Sequence, residues 1–494
     1  MRNKIFIKAV SILIALVVFT SCADLLDTQD IKVNPNAPAD APIDVLMSGM
    51  LVGLSAAHED TDTRIAYMWA GQLAGLSRQH AGFGIYNVAA STFDPSWSTA
   101  YSAASNARIL QRKAAPINNK VALGIAQVAE ALLMAKITVL YGDIPYSQAF
   151  EEVTYPTPIF DKQADVYTAL IALLNDAYAN LSSGVGSVDG SKEFIFGGSG
   201  SKWAKAAKTL QSRLYLHLGQ YANAVAAAQL GITDPDGDAL IPHGTAQTID
   251  NNLNFDFFEN SRPGDTGFDD PAYLPVFMKI RLDGVAQASG KAMRNSATDE
   301  TAVYNHFFKV GVYSTGALDP NTVDGMFVSD APHPLLTFYE NQLIIAESQA
   351  RLGNISDAVT ALNSARQSLA TGYINGQFIN SANQAKGIQY DDYSDADFLS
   401  GGLANPVSTG RDQQKGLLYE IISQKYIVSL AQYNVFTDVR RLAKATPIVQ
   451  LPIPPTNVRG IPGRYIYPQN EINTNGANVP SPLPDQFTKL PIFQ

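Results

Sequence analysis

One cysteine, Cys22, serves a chain of 494 residues. Internal disulfides are therefore excluded, and a packed core must carry the stability. A chain this long can build one, and length alone would allow two or three domains. Positive charge is also scarce: 35 Lys and Arg stand against 45 Asp and Glu, a net charge of −10. That balance argues against nucleic acid, whose phosphates reward a basic face. It argues equally against a polybasic hold on a membrane surface. Histidines number six, at 58, 80, 217, 243, 306 and 333, and none forms H-E-x-x-H or another metal spacing. No G-x-S-x-G elbow is present. Gly197–Lys202 lacks the order of a phosphate loop, and Trp203 follows its lysine. Paired carboxylates of glycoside hydrolysis need separations of about 5 or about 6.5–9.5 Å, which dispersed Asp and Glu leave open. No cofactor is expected. The run Asp234-Pro-Asp-Gly-Asp238 could bind Ca²⁺ through its oxygens, but its glycine is fourth and Thr245 is twelfth. An EF-hand needs glycine sixth and glutamate twelfth, so the run reads as an Asp-rich turn.

What is present begins at the N-terminus. Arg2, Lys4 and Lys8 precede an apolar run, Ala9–Phe19, broken only by Ser11. The run is too short to span a bilayer, which takes about 20 apolar residues. Small residues then lead into Cys22, which suits a removable signal of residues 1–21. Thr20-Ser21-Cys22 resembles a lipobox, with Phe19 where such motifs usually have Leu. The resemblance implies that Cys22 is lipidated. Loss of residues 1–21 leaves 32 basic against 45 acidic residues, a balance of −13, so the anchor would be lipid without electrostatic help. Residues 22–42, with three prolines, read as a tether. Asp24 and Asp27 resemble the surface-export signal of Bacteroidota lipoproteins.

Helical periodicity starts near Ile43, where Val45, Leu46, Met50, Leu51 and Leu54 share a face. Further helices are expected over Trp97–Lys113, Val121–Tyr141, Ala164–Leu181, Trp203–Tyr221 and Ala222–Leu230. Residues 231–330 read as irregular. Helices return over Leu335–Leu352, Ile355–Leu369 and about Gln414–Gln432, and the tail from Pro447 is Pro-rich and extended. Phe338–Arg351 and Ser356–Arg366, joined through Gly353-Asn354, look like a tetratricopeptide unit. The expectation is a mainly α chain: one tetratricopeptide-like helix-pair domain, 43–494, with long irregular loop excursions.

Six ordered stretches resemble the SusD/RagB family of nutrient-binding outer-membrane lipoproteins. They are Trp97-x3-Tyr101-x4-Asn106; Tyr141-Gly-Asp-Ile-Pro-Tyr-Ser147; Trp203-x-Lys205-x4-Leu210-x2-Arg213-Leu214; Pro334-Leu335 with Ala346-Glu347 and Arg351; Gln424-Lys425-Tyr426 through Asp438-x-Arg440-Arg441; and Pro462-Gly-Arg-Tyr-Ile-Tyr-Pro468 with Glu471 and Asn475. The resemblance implies a single SusD-like domain on a lipoprotein of the outer-membrane surface. It implies capture of an oligosaccharide, or an oligopeptide, and its delivery to a partner TonB-dependent transporter of SusC type. The protein would act as the lid, with no bond made or broken. A repeat-helix scaffold holding a protein partner is the rival reading, and a hydrolase on the same scaffold is a third.

A sugar site needs exposed aromatic faces and fixed polar partners. The stretch from Arg78 to Phe93 offers both, with glycines flanking Phe83 that mark it as loop. The expected ligand-binding residues are Arg78, Tyr86 and Asn87, with Phe83 and Trp97 behind them. In the resembled family, ligand contacts often come from this region. Phe255–Phe258 with Tyr273 are a second aromatic source. His217 reads as packed, Trp203 as core, and Asp438, Arg440 and Arg441 as helix-end ion pairs.

Overall fold

The first half of the chain forms α1 (Ile43–His58), α2 (Thr61–Trp69), α3 (Arg78–Gly84), α4 (Asp94–Ala114), α5 (Lys120–Tyr141), α6 (Gln163–Ser182), α7 (Gly200–His217) and α8 (Tyr221–Ala228), of which α2 and α3 carry no periodic signal. The second half supplies α9 (Tyr273–Asp283), α10 (Thr301–Phe307), α11 (Phe338–Leu352), α12 (Ile355–Gly376), α13 (Gln413–Val428), α14 (Asn434–Arg441) and α15 (Gln469–Thr474). The computed structural model describes residues 41–283, 300–310, 317–376, 379–380, 384–385 and 392–494. Cys22, the signal 1–21 and the tether up to residue 40 lie outside them.

Polar side chains cap several of these helices at their start. Asn119 accepts the Ala122 N–H at 3.1 Å before α5, Thr337 the Glu340 N–H at 3.1 Å before α11, and Asp412 the Lys415 N–H at 2.8 Å before α13. Each such cap is worth about 1 kcal/mol. α5 is the spine. By length and composition it could cross a membrane, yet nearly all of it is buried inside the protein. It packs between α4 and α6, and the approach to α6 requires Gly124: a Cβ there would meet Leu181 Cγ at 2.5 Å.

Helix packing then runs α1–α4–α5–α6–α7–α8–α11–α12, with α13 also on α11. Each helix buries its apolar stripe on its neighbours, so stability is shared along the stack. α11 turns into α12 through Gly353, which takes a left-handed φ of 85°. The chain is thus mainly α, a stack of helix pairs, and Ile43–Gln494 form one compact unit.

The described residues of 231–330 are more ordered than their composition suggests. They hold α9, α10 and short antiparallel ladders: Ala239–Ile241 on His333–Leu336, Thr266–Gly267 on Ala74–Gly75, and Phe308–Val310 on Leu318–Pro320. Strands of two to four residues are too short to show a period, and some partners lie far away in sequence.

Candidate ligand-binding site

The segment expected to be a loop is in part helix. Residues 78–84 form α3, and Ala90–Phe93 a 3₁₀ turn. The glycines serve close approach here. A Cβ on Gly75 would meet the His80 carbonyl oxygen at 1.8 Å, so α3 folds directly back onto its preceding strand. Asp265 fixes the start of α3. It is fully buried, and its carboxylate takes Arg78 Nε at 3.0 Å and His80 Nδ1 at 3.0 Å. Its carbonyl accepts the Leu76 N–H at 2.8 Å and the Ser77 N–H at 3.1 Å.

The five expected ligand residues divide. Arg78, with its side chain 55% exposed, and Asn87 face solvent. Phe83, Tyr86 and Trp97 are buried, at 7%, 4% and 6% exposure, and offer no open ring face. Tyr86 and Trp97 belong to an aromatic cluster in the core, while Phe83 meets His80 edge-on at 5.3 Å. Trp69 meets Tyr86 at 5.8 Å, Phe436 at 5.6 Å and Tyr465 at 5.0 Å. Tyr465 stacks on Phe93 at 4.7 Å and meets Tyr141 at 5.5 Å, and Tyr141 meets Trp97 at 5.0 Å. Such ring pairs prefer these edge-to-face and offset geometries. Phe257 and Phe258, from the second aromatic source, are also buried, and Arg64 lies 3.6 Å over the Phe257 ring.

The exposed end of the segment meets the C-terminal tail. Tyr86 Oη accepts the Thr456 N–H at 3.2 Å, and Thr456 Oγ1 donates to the Gly84 carbonyl at 2.6 Å. Gln486 donates to the Tyr86 carbonyl, and Phe487 sets its edge against the Tyr86 ring at 6.3 Å. Behind Phe487 the tail roofs a cavity of about 430 Å³ between itself, α13 and α14. Arg459 lies 4.0 Å over Phe487 and pairs with Asp485 at 2.5 Å, both side chains over half exposed. Arg459, Phe487 and Lys489 were not legible as site residues. The only signal nearby was the motif at Pro462–Pro468, which says nothing of a cavity.

The motif residues themselves are structural. Tyr141 donates to Asp62 at 2.7 Å, Tyr146 to Glu130 at 2.7 Å, and Asp143 accepts the Gln163 N–H at 2.9 Å. Burial, then the nearby Asp60, push the Asp62 carboxyl up to about 7. Asp238, from the Asp-rich run, is buried and accepts the Phe338 N–H at 2.6 Å at the start of α11. Among the described residues no group of three or more His, Cys, Asp or Glu converges as a metal site. His217 packs against Tyr167, its ring nitrogen 3.0 Å from the phenol oxygen, and Trp203 is fully buried. The expected ion pairs on α14 hold for Arg441, 2.6 Å from Asp438, and fail for Arg440. Successive helical residues point about 100° apart, so Arg440 turns away, to the carbonyls of Val139, Phe436 and Gly463.

Residues 35–468 match the model of the SusD-like family described as starch-binding and associating with the outer membrane. This chain belongs to that family. Solved structures agree in fold. A SusD/RagB family protein from Bacteroides thetaiotaomicron superposes with a TM-score of 0.63 at 21% identity, covering 88% of this chain and 95% of its own. A SusD homologue from Parabacteroides distasonis gives 0.67 at 17% identity, covering 92% and 98%. A chitin-binding protein gives 0.63 at 18% identity, covering 92% and 100%. At these identities the likeness is one of fold. No curated protein matches the chain in sequence.

Proposed function

We propose that this SusD-like protein is a cell-surface lipoprotein, anchored through a lipid on Cys22. It captures an oligosaccharide or oligopeptide and passes it to a partner TonB-dependent outer-membrane transporter of SusC type, over which it sits as a lid. It binds and releases its ligand without chemistry. The observation that carries this reading is the meeting of the Arg78–Asn87 segment, exposed at Arg78 and Asn87, with the tail and its cavity. Polar groups and a partly open, largely apolar cavity adjoin there, on a helical support. Membership of an outer-membrane, starch-binding family supports the compartment and the role.

Incubation of the purified protein with a glycan and peptide panel tests it. Binding without turnover is expected, and product formation would overturn it. Fractionation of Cys22→Ala tests the anchor. The variant should leave the outer membrane, and unchanged retention would contradict lipidation. Solubilised membranes should yield a large β-barrel with the wild-type chain; recovery of a different partner would favour a scaffold.

A further inference from the structure

The cavity under the tail carries a charge opposite to that of its chain. The molecule has a net charge of −10, yet Arg440, Arg459 and Lys489 line this cavity with a single acid, Asp438. Asp438 already faces two cations, Lys425 at 3.1 Å and Arg441 at 2.6 Å. Arg440 is buried. Its guanidinium donates to the carbonyls of Val139 at 2.8 Å, Phe436 at 3.0 Å and Gly463 at 3.2 Å, and lies 4.0 Å over the Phe436 ring. Carbonyls satisfy its N–H groups but carry no net charge to balance it. Burial accordingly lowers its pKa, with Arg464 acting in the same direction. Much of the remaining wall is aliphatic, with Ile422, Val435, Val439, Leu442, Leu451 and Ile453.

We propose that this cavity binds the apolar end of an amphipathic carboxylate. The apolar body fills the aliphatic space, and the carboxylate sits at the rim between Arg459 and Lys489, in the field of Arg440. This inference rests on the nutrient-binding reading and names the ligand's chemistry. A neutral sugar would set hydroxyls against an aliphatic wall, where each unpaired hydroxyl is costly. A carboxylate instead matches the fork of a guanidinium. The Arg459–Asp485 pair is a weak competitor, because exposed ion pairs contribute about 0–1 kcal/mol. The volume of about 430 Å³ lies in the range of small-molecule sites, roughly 300–1,000 Å³.

The carboxylate could end an aliphatic acid or a peptide with a hydrophobic last residue. Calorimetric titration of the full-length chain with two matched pairs separates these sources: octanoate against octanamide, and N-acetyl-Ala-Leu against its C-terminal amide. At least one acid should bind about tenfold tighter than its amide, roughly the worth of one charge-assisted contact. Whichever pair shows the preference identifies the source. Arg459→Ala with Lys489→Ala should abolish the preference while circular dichroism stays unchanged. Ala443→Trp, at an exposed lining position, should block both acids. Equal binding of acid and amide in both pairs would overturn the inference, as would a preference untouched by all these substitutions. A panel ligand that still binds Ala443→Trp would remove the cavity from capture and leave nutrient binding standing.

Discussion

Two groups of cations lie on opposite sides of α14, and they differ in what balances them. On one side Arg351, Lys425 and Arg441 converge on Glu347 at 2.9, 3.1 and 2.6 Å, with Asp438 as a second acid. On the other, Arg440, Arg459 and Lys489 line a cavity whose single acid belongs to the first group. The first group ties α11, α13 and α14 together, its three cations shared between two acids. In the second, Arg459 meets only the exposed Asp485, a weak pairing that an outside anion can replace. Adjacent arginines in one sequence motif thus take separate roles, one in the fold and one beside a site.

The largest effect should come from breaking the balanced group. Glu347→Gln leaves three buried cations with only Asp438, and removing one partner of a buried pair costs about 3–5 kcal/mol. Urea unfolding should show that loss, and a loss under 1 kcal/mol would mean that the cluster is not a lock.

Next in size is the response to pH. Burial raises the Glu347 pKa, but Arg441, Lys425 and Arg351 outweigh it and hold the carboxyl well below 4.5. With the folded pKa depressed, its contribution is present above pH 4.5 and lost as pH falls further. Wild type should therefore lose stability in acid where Glu347→Gln does not. Asp62 behaves in the opposite sense. Its folded pKa is raised from 3.8 to about 7, so its contribution is full below pH 3.8 and lost as pH rises towards 7. Asp62→Asn should gain on wild type steadily across that window in melts taken at several pH values. A constant difference would show that Asp62 is ionised throughout.

The smallest effect on stability should come from the unbalanced group. Arg459→Ala with Lys489→Ala removes exposed charges and should change unfolding by less than about 1 kcal/mol. A loss comparable to that of Glu347→Gln would erase the distinction between the two groups.

Much of the helix stack was legible because Val121–Tyr141 and its neighbours repeat apolar residues at helical spacing over many turns. α2 and α3 were not. α2 buries charged residues such as Asp62 and Arg64, which mask its period. α3 is short and carries Gly82 and Gly84, which read as loop although Gly75 and Gly84 mark a close approach of backbones. Aromatic content misled for a related reason. Phe83 and Tyr86 sit in a segment that looks irregular, yet both rings are buried, and Tyr86 and Trp97 join the cluster around Tyr465, which comes from the opposite end of the chain. Arg78 and Asn87 do lie at the surface. The cavity was invisible, because Arg459, Phe487 and Lys489 are scattered through a Pro-rich tail without periodicity and converge only through tertiary contacts.

Hydrogen–deuterium exchange with and without a ligand found on the panel tests most directly that capture occurs where α3 meets the tail. The account predicts new protection over residues 83–88, 448–463 and 485–493, with little change along α4–α8. Protection confined to α4–α8, with these segments unchanged, would contradict it.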